Sequence, residues 1–173
     1  MKLSFVDIRR ARFTAAARNE LHLELPEEDQ TDPNMKMCGR LLKSMRGTQD
    51  AAQSWEEECT DFLVSIGFEQ GLGSPCLFYH AVRNIHSDVH GDDFTNLGTH
   101  SNLEWLRTKF LERYEIKDSG ITGPDAGDIK SVRALNRLIT WKDDCSDYEA
   151  DPRHVEIIDW SKGRKDGDHT GHP

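Results

Sequence analysis

Val89-His90-Gly91-Asp92-Asp93-Phe94-Thr95 is the stretch whose reading decides this fold. Two adjacent carboxylates sit between short runs with strand character. Ile85 to Val89 lies upstream; Phe94, Thr95 and Leu97, ending at Gly98, lie downstream. A Gly-Asp-Asp centre between β-prone residues predicts a tight hairpin, because Gly and Asp tolerate the positive φ that such turns need. In isolation, a solvated turn is the commoner reading. The alternative is a divalent-cation site. A tight turn fixes both carboxylates on a rigid hairpin, and Mg²⁺ takes oxygen ligands in near-octahedral geometry at about 2.0–2.1 Å.

Upstream of the hairpin, Leu3 to Asp7 reads as a short buried strand with an acid at its end. Arg9 to Arg18 is rich in Ala and Arg and suits a helical turn. Glu20 to Leu25 alternates strictly and predicts a strand with three leucines on one face. Arg40 to Met45 reads as a short amphipathic piece. A helix follows, with Asp50 as N-cap, apolar residues at Ala52, Trp55, Cys59, Phe62, Leu63 and Ile66, and Gly67 just past its end. Glu56, Glu57 and Glu58 fall near its start and read as a solvated face that favours the helix dipole. Leu77 to His80 is a strand.

Downstream, Ser101-x-x-Glu104 is a capping box opening a helix whose buried stripe is Leu103, Leu106 and Phe110. Gly120, Gly123, Pro124 and Gly127 read as a loop, and Val132 to Trp141 as β-prone. Asp151-Pro152 predicts a short terminal helix. Residues 161–173 are polar and read as a disordered tail, where His169 and His172 are adventitious metal ligands at most. Strands broken by two helices, without strict βαβ alternation, give an α+β class: an antiparallel sheet with helices packed on one face.

The chain has 173 residues, enough for one domain with its own core. Mean hydropathy is −0.71, and no apolar run is long enough to span a bilayer. Met1 to Asp7 lacks the layout of a signal peptide. Cys38, Cys59, Cys76 and Cys145 are widely spaced and read as reduced thiols of an intracellular protein, cytoplasmic or nuclear, without membrane association. A net charge of −9 argues against nucleic-acid binding by the whole surface. A polynucleotide partner then needs metal ions or a local basic patch, for which Arg9, Arg10, Arg12 and Arg18 are the candidates.

From about Lys2 to Trp160 the residues resemble the reverse transcriptase of Ty1/copia-type retrotransposons. Phe5-Val6-Asp7-Ile8-Arg9-Arg10-Ala11 is similar to that family's first catalytic-acid motif, and Glu24-Leu25-Pro26-Glu27-Glu28-Asp29 follows at the expected place. Leu41 to Trp55 resembles the Leu-Tyr-Gly-Leu-Lys-Gln-Ala-Pro-x-x-Trp segment. Leu63 to Phe68 and Ser74 to Phe78 resemble the next helix end and strand. Val89-His90-Gly91-Asp92-Asp93 stands where the family has Tyr-Val-Asp-Asp, in wording close to copia-like elements of dinoflagellates. Tyr114 to Gly120 resembles the segment after the following helix. Each motif alone is weak; six in order with compatible spacing are strong.

The resemblance implies a polymerase palm over residues 1–150 and the start of a thumb-like helix over 151–160. It implies an RNA-directed DNA polymerase acting on an RNA or DNA template-primer and deoxynucleoside triphosphates. Asp7, Asp92 and Asp93 would be the catalytic, metal-holding acids. Of these, Asp7 and Asp92 would bridge two Mg²⁺ (or Mn²⁺) ions, about 3.5–4 Å apart in such sites, that stabilise the attacking 3′-oxygen and the leaving pyrophosphate, and Asp93 would support the site from beside them. Arg9, Arg10, Arg12 and Gly47 would contact the nucleotide, Lys117 would donate a proton to pyrophosphate, and Val132 to Trp141 would be the primer-holding hairpin.

The departures are specific. The family's bulky aromatic five residues after the first Asp is Arg12 here, with Phe13 one step late. Arg46 replaces the tyrosine before the motif's glycine, the Ala-Pro pair is missing, and Asp88 adds an acid on the strand into the hairpin. A fingers segment before Asp7 is not found and the thumb is truncated. The expectation is a degenerate copy, inactive alone. The competing expectation is a non-catalytic acidic interaction domain.

Overall fold

Alternation of apolar and polar residues around Asp7 and around the Asp-Asp pair builds one sheet. In a computed structural model that describes residues 1–31, 36–142 and 145–150, the chain forms two compact units, 1–129 and 130–173. In the first, β1 (Lys2–Ile8) is followed by a 3₁₀ turn (Ala11–Phe13), β2 (His22–Glu24), a second 3₁₀ turn (Glu27–Asp29), β3 (Cys38–Arg40), α1 (Ala51–Ser65), β4 (Glu69–Gln70), β5 (Leu77–His80), β6 (Ile85–His90), β7 (Asp93–Gly98), α2 (His100–Arg113) and β8 (Ile116–Thr122). Six strands make one sheet in the order β4-β5-β6-β7-β1-β8, and every pairing is antiparallel. The class is α+β, with both helices packed on one face of that sheet.

The packed face is set by register. Phe78, Ile85, Phe94, Val6 and Ile8 project from it and join Trp55, Cys59, Leu63, Leu106, Phe110 and Tyr114 in one buried cluster. Helix α1 supplies Ala51, Trp55, Cys59 and Leu63 at a spacing of four; α2 supplies Leu103, Leu106 and Phe110. Each fully buried Phe or Leu contributes about 1.5–3 kcal/mol of transfer free energy. Three of the buried polar residues on this face satisfy one another. Ser87 Oγ donates to Asn96 Oδ1 at 2.6 Å, and Asn96 Nδ2 donates to Ser4 Oγ at 3.3 Å, so one buried network crosses β6, β7 and β1.

Helix α1 ends as its sequence predicts. Gly67 takes φ +99°, its N–H reaches Val64 O at 3.0 Å and the Phe68 N–H reaches Leu63 O at 3.0 Å, with Phe68 and Leu63 both in the core. That pair of bonds is a Schellman motif. The helix starts differ from expectation. Asp50 is the N-cap residue but its side chain makes no cap; it accepts from Asn19 Nδ2 at 3.0 Å instead. The Ser101/Glu104 capping box does not form, because α2 begins at His100 with Thr99 as N-cap, again without a side-chain bond. None of Glu56, Glu57 and Glu58 lies in the first turn of α1. Two of them bind arginines rather than water alone: Glu57 pairs with Arg18, and Glu58 with Arg113 at 2.5 Å.

Three further expectations are refined. The loop read from Gly120 on begins only at Gly123, since Gly120 belongs to β8: at φ +81° it lets the strand bulge where its register on β1 shifts, and the chain stays paired to Thr122. The strictly alternating Glu20 to Leu25 gives a regular strand only over the three exposed residues of β2, paired with β3; bonds from the Leu25 N–H to Met37 O at 3.0 Å and from the Leu41 N–H to Leu21 O at 2.8 Å continue the pairing at both ends, with Leu21 and Leu25 half-buried and Leu23 exposed. Arg40 to Met45, the short amphipathic piece, leaves β3 at Arg40 and then makes one isolated antiparallel bridge, Lys43 with Ala16.

In the second unit, β9 (Ser131–Ala134), β10 (Arg137–Trp141) and β11 (Ser146–Ala150) form an antiparallel sheet in the order β11-β10-β9. The β-prone run 132–141 is therefore a hairpin, turned at Leu135 and Asn136, both at positive φ. The helix expected from Asp151 and the polar tail with His169 and His172 lie outside the described residues. Among the described residues no helix is long and apolar enough to cross a membrane.

A candidate carboxylate site and the adjoining arginine cleft

The hairpin at Gly91-Asp92 forms as the sequence predicts, with His90 paired to Asp93 across a two-residue turn. Only Gly91 has positive φ, at +66°, which is the pattern of a type II′ turn. Two bonds hold it from outside. Trp55 Nε1 donates to Gly91 O at 2.7 Å, tying α1 to the turn. The Ile8 N–H donates to Asp92 O at 2.9 Å, tying β1 to it.

Register then lines up four polar residues on the sheet face away from the helices. His90 on β6 pairs with Asp93 on β7, Asp93 with Asp7 on β1, and Asp7 with Lys117 on β8. Two acids therefore stand directly opposite each other on adjacent strands. Directly opposed Cβ atoms lie about 4.5–5.5 Å apart, and like charges there are destabilising. The electrostatics carry the mark of it. Burial pushes the Asp93 carboxyl above its ordinary value, Asp7 and Asp92 push it further, and His90 and Lys117 oppose them. Asp88 points to the same open face and is exposed, so it leaves the core undisturbed.

Asp92 itself borders a cleft of about 500 Å³ at the end of the sheet. The floor comes from the helix-packed side, through Trp55, Cys59, Phe78 and Val89. Arg10, Arg12 and Phe13 line one wall and Arg46 also contributes. Cys59 is no nucleophile here, since burial raises its thiol to about 12. Of the residues that the sequence marks for the nucleotide, Arg10 and Arg12 line this cleft. Arg9 does not; its guanidinium pairs with Glu115 at 2.8 Å. Gly47 is exposed, at φ +101°, beside Arg46. Lys117 is exposed and faces Asp7. Sequence reasoning missed the cleft position of Arg46, the row position of His90 and the tether from Trp55.

No protein-family model matches the chain, and no curated protein matches it.

Asp7, Asp92 and Asp93 suit a hard divalent cation in kind: all are carboxylates, and their mutual repulsion is what a cation relieves. At an effective dielectric near 20, two such charges 4 Å apart cost roughly 4 kcal/mol, an upper scale for partly solvated groups. Among the described residues, however, no three His, Cys, Asp or Glu side chains are gathered into a set that could hold a metal ion. Two acids stand side by side on the strands and the third sits at the adjoining turn.

The raised Asp93 carboxyl has a signed consequence. Its folded value lies above its unfolded one, so the folded state binds the proton more tightly. Its contribution to stability is present below the unfolded value, near pH 4, and is lost as pH rises through the folded value. Asp93→Asn should therefore stabilise the metal-free protein at pH 7, by about 0.5–1 kcal/mol or roughly 2–4 °C in Tm. The gain should shrink towards zero below about pH 4. Melting curves across pH 3–8 in EDTA check this; a gain that grows at low pH contradicts it.

Proposed function

We propose that the first unit is the palm of an RNA-directed DNA polymerase of the Ty1/copia type, and that this chain is a degenerate copy, inactive alone. The reading starts from the six ordered motifs. The observation that carries it is the pairing of Asp7 with Asp93 across β1 and β7, with Asp92 in the turn between β6 and β7. Two opposed carboxylates are costly unless something offsets them; Lys117 and His90 flank the pair, and a divalent cation would offset it further. Asp7, Asp92 and Asp93 would hold that cation, Mg²⁺ or Mn²⁺. When bound it would supply charge stabilisation for nucleotidyl transfer between a template-primer and a deoxynucleoside triphosphate inside the cell. Lys117, across β1 from Asp7, is the proton donor in this reading. Two observations support the degenerate part: Arg12 stands where the family has an aromatic, and three ligands are not gathered among the described residues.

Those observations also favour a second reading, an acidic interaction domain without catalysis. Metal titration separates the two. In the palm reading, Mn²⁺ at ten times its Kd stabilises by about 1.4 kcal/mol, or roughly 3–5 °C in Tm, and Asp7→Asn or Asp92→Asn removes most of the rise. A flat response to Mn²⁺ and Mg²⁺ sinks the palm reading and leaves the interaction domain. Primer extension on a primed RNA template tests the rest. None is expected; extension that Asp92→Asn abolishes would replace the degenerate copy with an active polymerase.

A further inference from the structure

We infer that the outer half of the open sheet face, centred on Tyr79 and His86, is a docking surface for an extended segment of a partner polypeptide that carries two basic residues either side of an apolar one. The inference goes beyond the palm reading and needs no catalysis; it gives the interaction-domain reading a surface and a partner chemistry. Strand register builds the surface. Glu69 on β4 pairs with Tyr79 on β5, Tyr79 with His86 on β6, and His86 with Leu97 on β7. In the next row Leu77 pairs with Asp88. Phe78 and Ser87, which alternate with these residues, are buried on the helix side, so the six share the open face. A shallow groove of about 380 Å³ runs among them.

The groove suits a cation beside an apolar group. The Tyr79 and His86 rings are already stacked, with centroids 4.6 Å apart and planes tilted by 35°. Tyr79 Oη donates to Asn84 Oδ1 at 3.3 Å, which holds the phenol in place. Tyr79 is 37 % exposed and Leu77 48 %, so apolar area lies open between the rows. The carboxylates of Glu69 and Asp88 flank that area, and neither has an ion pair or hydrogen-bond partner among the described residues. No lysine or arginine among those residues lines the groove. Open aromatic faces beside carboxylates attract guanidinium and ammonium groups. The spacing then selects the partner. Adjacent strands lie about 4.8 Å apart, and alternate residues of one strand about 6.8 Å apart. Glu69 and Asp88 are two strands and one alternate position apart, which sets them roughly 12 Å from each other. An extended chain presents its residues i and i+4 on one side at roughly 13 Å. Basic residues at those two positions reach both acids, and the residue at i+2 falls between Tyr79 and Leu77.

Fluorescence anisotropy with the full chain at low salt tests this, with a labelled Gly-Arg-Ser-Leu-Ser-Arg-Gly peptide as probe. Saturable binding is expected, falling as salt is raised. Glu69→Gln and Asp88→Asn should each weaken it roughly three- to fivefold, and the double variant roughly tenfold. Asp61→Asn, exposed on α1, should leave it unchanged. Changing the probe tests the surface without any variant. Glutamate in place of both arginines should abolish binding. Moving the second arginine by one position turns it to the other side of an extended chain and should weaken binding about as much as losing one acid. No saturation, equal binding of the arginine and glutamate probes, or binding that the double variant leaves unchanged overturns the inference. Self-association of the chain that the double variant weakens, with no peptide binding, would assign the face to a second copy and overturn it as well. None of these readouts involves Asp7, Asp92 or Asp93, so the Mn²⁺ titration decides the palm reading separately.

Discussion

Trp55→Ala should lower the unfolding free energy by about 3–5 kcal/mol, the range for truncating a buried aromatic, and Tm by roughly 8–15 °C. Trp55 is 4 % exposed and packs edge-on against Tyr114, with ring centroids 5.7 Å apart. It also ends in the N–H that reaches Gly91 O. Truncation thus opens a cavity in the core and unties the hairpin from α1. Trp55→Phe divides the two effects. It keeps most of the ring contact and loses the hydrogen bond, so about 1–2 kcal/mol is expected. Urea denaturation of both variants measures this. An alanine variant within 1 kcal/mol of the parent would mean that the indole does not anchor the core.

Asn96→Ala is the second large effect, about 3 kcal/mol. Asn96 is completely buried between Ser87 and Ser4, and its removal leaves both hydroxyls buried without their partner. Each buried unsatisfied group costs about 1–3 kcal/mol, and the cavity adds to that. The diagnostic is non-additivity. A triple variant, Ser4→Ala, Ser87→Ala and Asn96→Leu, should recover at least half of the loss, because replacing every partner by apolar groups can be nearly neutral. If the triple variant is less stable than Asn96→Ala alone, the network is not a closed set.

The same network shows where sequence reading ran out. Helices α1 and α2 were legible because their apolar residues repeat at a spacing that no strand imitates; Trp55, Cys59 and Leu63 of α1 and Leu103, Leu106 and Phe110 of α2 are buried on the expected stripes, although at the start of α1 Ala51 and Ser54 are buried and Ala52 is exposed. The hairpin was legible from Gly91 and its acids. The faces of β7 were not. Phe94 and Leu97 are both apolar, yet register places Phe94 and Asn96 on the packed side and leaves Leu97 on the open one. A buried asparagine cannot be told from a solvated one until its partners on β1 and β6 are known. Strand β8 hid behind Gly120, which reads as a loop but serves as a bulge. Strict alternation did mark the strand at β2, where the chain pairs with residues 37–41 while Leu23 stays exposed.

The site divides along the same line. Asp7 and the Asp92-Asp93 pair could be named from motifs, but their opposition depends on the register of β1 against β7. Arg46 was visible only as a departure from a pattern. Its place in the cleft depends on how the chain before α1 lies against the Arg10 turn, which no local periodicity records.

The bond from the Ile8 amide to Asp92 O joins two parts of the chain that are remote in sequence, immediately beside the opposed acids. Deuterium uptake at that amide therefore clocks how often the two halves part. Slow uptake, on the scale of global opening, would mean that the acids are kept together whether or not a cation is present, with their repulsion as a standing load on the fold. Fast uptake would mean that the repulsion discharges by local fraying, and that a counter-ion's first effect is to close a door.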